Sequence, residues 1–181
     1  SIDTTFSIGT GFDDTIEAIA VQPDGKIIVG GSFLNYKGTS KNRIVRLNTN
    51  GAVDSSFLSG TGFNDGVVQS VQVVAGGILV GGSFTDKYDI TAANRLVLLN
   101  SNGTINSNFD IGAGPSSATI YTLCESSDSF FVGGSFSVFD DLKQGKLAKI
   151  STAGELDSGY LTAGVGFDKA VEKVIPLTDG S

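Results

Sequence analysis

Short apolar runs rich in β-branched residues recur along the whole chain, separated by turn-forming residues. The first run, residues 16–21, leads through Pro23-Asp24-Gly25 into a second run at residues 26–29. Two apolar runs joined by a tight Asp-Gly turn are typical of a β-hairpin. No window of ten or more residues shows the 3.6-residue periodicity of a helix. The pattern therefore predicts an all-β protein.

Four landmarks return in the same order at a step of 51 or 52 residues, so the chain is built from repeats. The string Gly-Gly-Ser-Phe begins at Gly30, Gly81 and Gly133. A Gly-x-Gly string begins at Gly9, Gly60, Gly112 and Gly164. An element of the form Asp/Asn-x-x-Phe/Tyr ends at Phe6, Phe57, Phe109 and Tyr160. An apolar strand introduced by Asn-Arg begins at Asn42 and Asn94, with a drifted third copy at Gly145.

Each period predicts four short strands: the two of the hairpin, the Asn-Arg strand and the Asp-x-x-Phe element. This inventory is typical of one blade of a β-propeller. A β-solenoid is the alternative, although its coils are usually shorter than about 51 residues. The twin glycines would permit a bulge or the close approach of another backbone, and neighbouring blades crowd most near the central channel. The phenylalanine that follows them is expected to pack between the blade sheets.

The landmarks divide the chain into about three and a half four-stranded blades, an incomplete propeller. The predicted ranges are 1–6 for the last strand of a preceding blade, then 7–58, 59–109 and 110–160 for three blades, and 161–181 for the first strand of a fourth. Closed propellers typically need about four to eight blades. Three arrangements stay open: a piece of a longer protein, two chains that close one ring of about seven blades, or several chains around one axis.

The first copy resembles the delta-60 repeat, a β-propeller repeat of about this length. The resemblance rests on residues 21–33, on residues 42–48, on Gly51 and on residues 54–57. The second copy departs from the pattern at its hairpin turn, and the third at that turn and at the Asn-Arg strand. The resemblance implies a propeller fold and a setting in long bacterial surface or secreted proteins or in phage virion proteins. It carries no catalytic residues.

Composition and charge narrow the function classes. The chain has 12 Lys and Arg against 19 Asp and Glu, a net charge of −7, which argues against binding to nucleic acid and to anionic membrane surfaces. It contains no His, so a Ser-His-Asp arrangement and most zinc sites are excluded. Cys124 is the single cysteine and is expected to be a buried, unreactive thiol. No apolar stretch approaches the length of a membrane span, and no signal sequence follows Ser1, so we expect a processed or excised chain.

The sequence contains few candidate catalytic residues, and the chain is predicted not to be an enzyme. The acid pairs Asp13-Asp14 and Asp140-Asp141 are the candidates for a glycosidase-type carboxylate pair, but adjacent acids in a loop point apart. Solvated loop acids are the favoured interpretation. No cofactor is predicted; Ca²⁺ is a weaker hypothesis for such loops, because Asp, Asn and carbonyl oxygens are its ligands.

Binding is expected where the repeats differ, in the connection between Gly-Gly-Ser-Phe and the Asn-Arg strand, because function concentrates on such loops. Each connection carries one aromatic residue beside charged or amide groups, which suits contact with carbohydrate or protein. The candidate surface residues are Tyr36, Lys37, Lys87, Tyr88, Asp89, Phe139, Asp140 and Asp141. For the aromatic ring itself the favoured interpretation is that it pins the loop to its blade, with binding as the other.

These observations favour a non-enzymatic structural or binding module. The first hypothesis is a phage virion component, such as a tail fibre, tail tip or decoration protein, that presents loops to the host surface. The alternatives are a segment of a large bacterial adhesin and, last, a polysaccharide-degrading enzyme on a propeller scaffold. The expected location is extracellular, on a virion or a bacterial surface. The expected partners are further repeats or protein partners that complete the propeller, in a homo-oligomer or a longer chain, and a glycan or protein of the host surface.

Overall fold

Three antiparallel sheets and three small ribbons follow one another in the computed structural model, which describes residues 5–116, 118–160 and 166–175. The strands are β1 (Ile16–Val21), β2 (Ile27–Gly31), β3 (Asn35–Tyr36), β4 (Thr39–Ser40), β5 (Ile44–Leu47), β6 (Val68–Val74), β7 (Gly77–Gly82), β8 (Lys87–Tyr88), β9 (Thr91–Ala92), β10 (Leu96–Leu99), β11 (Ile120–Ser126), β12 (Ser129–Gly134), β13 (Val138–Phe139), β14 (Leu142–Lys143) and β15 (Leu147–Ser151). The described residues contain no helix.

Each repeat forms one three-stranded sheet with the hairpin strands side by side. The sheet orders are β1-β2-β5, β6-β7-β10 and β11-β12-β15, and a two-stranded ribbon, β3-β4, β8-β9 or β13-β14, follows the second strand of each. The all-β fold and the predicted hairpin are confirmed, with Gly25 at φ 82° in the first turn. Each of the predicted ranges 7–58, 59–109 and 110–160 contains one sheet and one ribbon, although their bounds stay a prediction.

The fourth strand of each blade is reduced to a single bridge. Val53 pairs with Leu47, and the later repeats have the same bridge at Ile105 and at Leu156. The chain then turns away, because the Asp54 carboxylate accepts the amide of Ser56 at 2.9 Å. The equivalent side chains in the later repeats make the same turn. The Asp-x-x-Phe element is thus a bridge followed by a turn.

The twin glycines perform both of the predicted tasks, one at each position. A Cβ on Gly30 would collide with Val68 and crowd Val71 of the next sheet, so the first glycine permits close packing of neighbouring sheets. A Cβ on Gly31 would collide with the carbonyl oxygen of Thr15, where the β1–β2 register shifts at a bulge. The same bulge lies at the start of β6 and of β11.

The cores lie between consecutive sheets. One cluster joins Ile28 of the first sheet to Val71 and Val80 of the second, and Phe84 packs within it. The next cluster joins the second sheet to the third, with Phe136 in the same role. Phe84 and Phe136 therefore pack between sheets, as predicted, whereas Phe33 lies in a third cluster that contains no residue of another described sheet. Neighbouring sheets stack face to face, which is the arrangement of blades in a propeller.

The Asn-Arg landmark fastens one repeat to the next, a role that the sequence did not reveal. Arg43, at φ 71°, donates from Nε to Gly66 O at 2.6 Å and from Nη1 to Phe63 O at 2.8 Å. Arg95 donates in the same way to Ala118 O at 2.7 Å. The third repeat has Lys146 instead, which turns back to Ser135 O of its own repeat at 3.0 Å.

The trailing segment continues the series. Val171 donates its amide to Gly134 O at 3.0 Å, and a Cβ on Gly133 would lie 2.8 Å from Val171 Cγ1. Val171 therefore lies against the third sheet at the place where Val68 lies against the first, although residues 166–175 form no strand, so the first strand predicted for a fourth blade is not seen in the part of it that the structure describes. The Gly164 landmark, the turn predicted at residues 178–180 and the beginning of the strand predicted at residues 1–6 lie outside the described residues.

Candidate functional site

The loops that were singled out for binding are the three ribbons. In each ribbon the aromatic residue of the first strand forms a β-bridge with the segment after Gly-x-Gly, namely Tyr36 with Phe12, Tyr88 with Phe63 and Phe139 with Pro115. The bridge ties each ribbon to its own repeat at the equivalent place. The Gly-x-Gly landmark thus positions the ribbon, which sequence spacing alone did not indicate.

The three aromatic rings are buried, which corrects their assignment to the binding surface. Tyr36 and Phe139 are 0% exposed and Tyr88 is 2% exposed. The Tyr36 hydroxyl donates to Gly51 O at 2.7 Å, and the Tyr88 hydroxyl donates to Gly103 O at 2.6 Å. Burial, with a contribution from the neighbouring aspartate charge, raises the pKa of Tyr88. The rings pin the ribbons to the blades, which was the favoured interpretation of the rings in the sequence.

The first turn residue of each ribbon is engaged within its own repeat. Lys37, Asp89 and Asp140 have positive φ values of 50°, 55° and 48°. Lys37 donates from Nζ to Gly51 O at 3.0 Å. Asp89 and Asp140 instead accept backbone amides of the Gly-x-Gly segment, from Thr61 at 3.1 Å and Ala113 at 3.0 Å. A lysine and an aspartate therefore close the same turn with opposite hydrogen-bonding roles, and all three side chains are only partly exposed.

The exposed residues of the ribbons form a repeated surface, which we call the ribbon surface. It consists of Thr39, Ser40, Lys87, Ile90, Thr91, Ala92, Asp141, Leu142 and Lys143. Lys87 and Asp141 were predicted from the sequence. Ile90 was not, although an isoleucine at the tip of a turn in a polar segment is the signal that could have found it. It is 84% exposed, more than any other large apolar residue described.

The ribbon surface differs from repeat to repeat while the scaffold beneath it stays the same. The outer strands read Thr-Ser, Thr-Ala and Leu-Lys, and the turns change from Lys-Gly to Asp-Ile to Asp-Asp. Each buried aromatic nevertheless occupies the same place. Such an arrangement presents variable chemistry at fixed positions, which suits recognition.

The first carboxylate pair has a structural role. Asp13 accepts the amides of Leu34 and Asn35, both at 2.9 Å, and the Asn35 side chain at 2.7 Å. Hydrogen bonds from the Asn35 backbone and side chain lower the pKa of Asp13, although burial opposes them. A glycosidase acid needs a raised pKa, so Asp13 does not fit that task. Asp14 accepts from Thr15, beside it in the chain.

Metal ligands and a reactive thiol were the remaining chemical candidates. Among the described residues, no three His, Cys, Asp or Glu side chains are grouped so that they could hold a metal ion. The Ca²⁺ hypothesis stays untested. Cys124 is buried, as predicted, and burial together with the charge of Glu125 raises the pKa of its thiol. A raised pKa keeps the thiol protonated and unreactive. In the part of the chain that the structure describes, no helix is long and apolar enough to cross a membrane.

The stacked sheets and their ribbons define a β-propeller repeat protein, incomplete within this chain. Residues 22–57 and 76–109 match the family model described as a domain of unknown function (DUF5122) beta-propeller. These segments contain the second hairpin strand, the ribbon and the Asn-Arg strand of the first repeat and their counterparts in the second, whereas β1 and β6 precede them. Comparisons with curated proteins and with solved structures gave no match. The resemblance to the delta-60 repeat stays a resemblance.

Proposed function

We propose that this chain is a non-enzymatic attachment module of a phage virion, in a tail fibre, tail tip or decoration protein, and that the ribbon surface contacts the host. The observation that supports the proposal is the contrast within each ribbon. A buried aromatic anchors every ribbon at the same place, while the exposed residues change. A β-propeller repeat suits a structural or binding role, because a rigid scaffold holds its variable loops in place.

The ligand that suits this surface is a glycan or protein of a bacterial cell envelope. The ribbon surface combines hydroxyls of Thr39, Ser40 and Thr91 with the apolar Ile90 and Leu142. Hydroxyl donors and acceptors beside apolar side chains match the mixed polar and apolar faces of sugars and of protein surfaces. The net charge of −7 disfavours nucleic acid as the ligand.

A segment of a bacterial adhesin is the second candidate. The outer face of the first sheet is apolar and exposed. This face supports the adhesin hypothesis, because in a long array of repeats such a face is covered by the neighbouring repeat. The native stoichiometry separates the two candidates. A symmetric fibre or particle supports the virion role, whereas a cell-anchored polypeptide with many repeats contradicts it.

The binding role is tested with the labelled full chain on intact bacterial cells and on their purified envelope polysaccharides. The test variant carries Lys87→Glu, Ile90→Asp and Lys143→Glu, all on the ribbon surface. We expect its binding to fall at least about tenfold, since loss of contact residues weakens an interface by about 1.4 kcal/mol or more. Protease treatment of the cells distinguishes a protein ligand from a glycan.

The matched control makes the same changes of charge and hydropathy away from the ribbons, with Leu58→Asp, Lys169→Glu and Lys173→Glu. All three positions are exposed. The control is expected to bind like the unmodified chain. Equal loss in both variants, or no loss in either, contradicts the role of the ribbon surface. Release of oligosaccharides from the polysaccharides would contradict the non-enzymatic assignment.

A further inference from the structure

The outer face of the first sheet carries an apolar row with nothing packed on it among the described residues. Ile16, Ile19 and Val21 of β1 are 40%, 61% and 63% exposed. Together with Ile8 and other apolar residues they line a groove of about 510 Å³ in which Asp14 is the one charged lining residue described. A contiguous exposed apolar surface of this kind marks an interaction site.

The same face is covered in the next two repeats. Val68 and Val71 of β6 occupy the positions of Ile16 and Ile19, and they are 0% and 9% exposed. They are covered by the first sheet, where a Cβ on Gly30 would collide with Val68 and lie 3.1 Å from Val71 Cγ2. The third repeat has the same contact, since a Cβ on Gly81 would lie 2.6 Å from Ile120.

In each of the three described sheets, the face that carries the first glycine of the Gly-Gly pair, here called the glycine face, is already covered. Gly30 faces β6, Gly81 faces β11, and Gly133 faces Val171 of the trailing segment. Three first strands and the trailing segment therefore occur for three glycine faces. The strand left over is β1, and its row of Ile16 and Ile19 is the half of the interface that lacks its counterpart in the residues described.

We propose that the face formed by Ile16, Ile19 and Val21 binds a further blade of this same repeat, with the first glycine of its Gly-Gly pair seated against Ile16 and Ile19. The proposal rests on continuity with the two sheet interfaces already present. The occupant presents small residues on its first strand, as Ala18 and Ala20 do toward the second sheet.

A second copy of the described chain does not offer this surface. Its three glycine faces are covered within its own chain. Its trailing segment carries Lys173 at the position of Ala18, and the lysine is exposed. Docking that segment on β1 would bury an ammonium group against isoleucine side chains, which is costly without a partner.

The test is an extended chain, in which a copy of residues 58–109 is inserted between Phe6 and Ser7 of the full chain. Phe109 is the repeat equivalent of Phe6, so the insertion adds one complete repeat in phase. In the unextended chain we expect Ile19→Asp to change Tm by no more than about 2 °C, since position 19 is exposed. In the extended chain the same substitution is expected to lower Tm by about 5–10 °C, because it buries an unpaired carboxylate.

Ile90→Asp is the control, because it makes the same substitution at an exposed site outside the face and is expected to have little effect in either chain. An equal effect of Ile19→Asp in both chains overturns the proposal. Self-association of the unextended chain that Ile19→Asp abolishes also overturns it, in favour of a second copy. If the extended chain does not fold, a chain carrying a copy of residues 7–57 at the same place repeats the test. If both extended chains have a Tm below that of the unextended chain, the proposal is overturned as well.

Discussion

A buried ion network in the first repeat shows how far single residues differ between otherwise equivalent repeats. Asp54, 8% exposed, pairs with Arg46 Nε at 2.8 Å and with Lys26 Nζ at 3.0 Å. Arg46 also donates to Ser101 O, so the network reaches the second repeat. The equivalents of Arg46 and Asp54 are Leu98 and Asn106 in the second repeat and a more exposed pair, Lys149 and Asp157 at 3.4 Å, in the third.

This network makes stability depend on pH. Burial opposes ionisation of Asp54, but hydrogen bonds from Ser56, the contact with Lys26 and the charge of Arg46 outweigh it and hold its pKa well below the ordinary 3.8. A carboxyl whose pKa is lowered by folding stabilises the folded state above its unfolded pKa. We therefore expect the free energy of unfolding to fall as pH drops below about 3.8, measured by urea unfolding between about pH 6 and 2.

Asp54→Asn tests the origin of that dependence. At pH 7 the substitution is expected to cost about 3 kcal/mol, because it leaves the buried Arg46 without its charged partner. It should also flatten the acid dependence, leaving the part that comes from Asp13 and Asp65, whose pKa values are also lowered. Asp157→Asn, at a more exposed pair, is the control and should cost no more than about 1 kcal/mol. An acid dependence that Asp54→Asn leaves unchanged would contradict this account.

Strands and their connections carry the next level of organisation, and the glycine strands dominate it. Gly81 lies where β7 meets β11, and a Cβ there would lie 2.6 Å from Ile120 Cγ2 and 3.3 Å from Leu123 Cδ1. We expect Gly81→Ala to destabilise the protein by about 1–3 kcal/mol through overpacking. The measurement is the urea midpoint at pH 7.

Two further variants test whether the effect of Gly81→Ala arises at the interface between sheets. Ile120→Ala removes the atoms in conflict, so the double variant should be more stable than additivity of the two single changes predicts. Gly76→Ala is the control, because its Cβ would meet nothing closer than Leu98 at 3.7 Å. Equal costs for Gly76→Ala and Gly81→Ala would show that the loss arises from glycine as such and not from the interface.

The arginine side chains also join neighbouring repeats, through hydrogen bonds to backbone carbonyls of the next repeat. Arg43→Ala removes the donors to Gly66 O and Phe63 O, and bonds from a charged donor contribute about 1.5–3 kcal/mol. We expect a loss of about 2–3 kcal/mol in urea unfolding. Lys146→Ala, which removes a bond within one repeat, should cost less. The reverse order would contradict a role of Arg43 in joining repeats.

For the molecule as a whole, the repeats are unequally covered. The second sheet has a neighbour on both sides, whereas β1 of the first sheet shows its apolar row to solvent. Stability in stacked repeats is a sum of repeat and interface contributions, so a repeat with one interface opens more readily.

Hydrogen exchange followed by mass spectrometry measures this difference. Amides of residues 16–21 are expected to exchange faster than those of residues 68–74, although both strands pair with the following strand in the same register pattern. The middle strands β2 and β7 serve as an internal reference. Equal protection of β1 and β6 would indicate that the first sheet opens only together with the others.

Much of the architecture was predictable because it depends on local or periodic features. The β-branched runs indicated strands, and the recurrence of Gly-Gly-Ser-Phe indicated equivalent sheets. A glycine within a strand usually marks a bulge or the close approach of another backbone. Both could therefore be predicted at Gly30 and Gly31. The aromatic residues of the ribbons were harder to assign. An anchoring role was favoured, but Tyr36 beside Lys37 in a polar loop also fits a contact residue.

The amino-acid pattern was sufficient for the repeat period, the strand content and the places where a backbone must come close. Folding was needed to establish that Tyr36, Tyr88 and Phe139 are buried, that Arg43 and Arg95 hold the next repeat, and that β1 keeps an open face. The reason is physical. Alternation of side chains along a strand shows only that the strand has two faces. Which face meets another sheet depends on partners about fifty residues away, and burial of a side chain is a property of that packing.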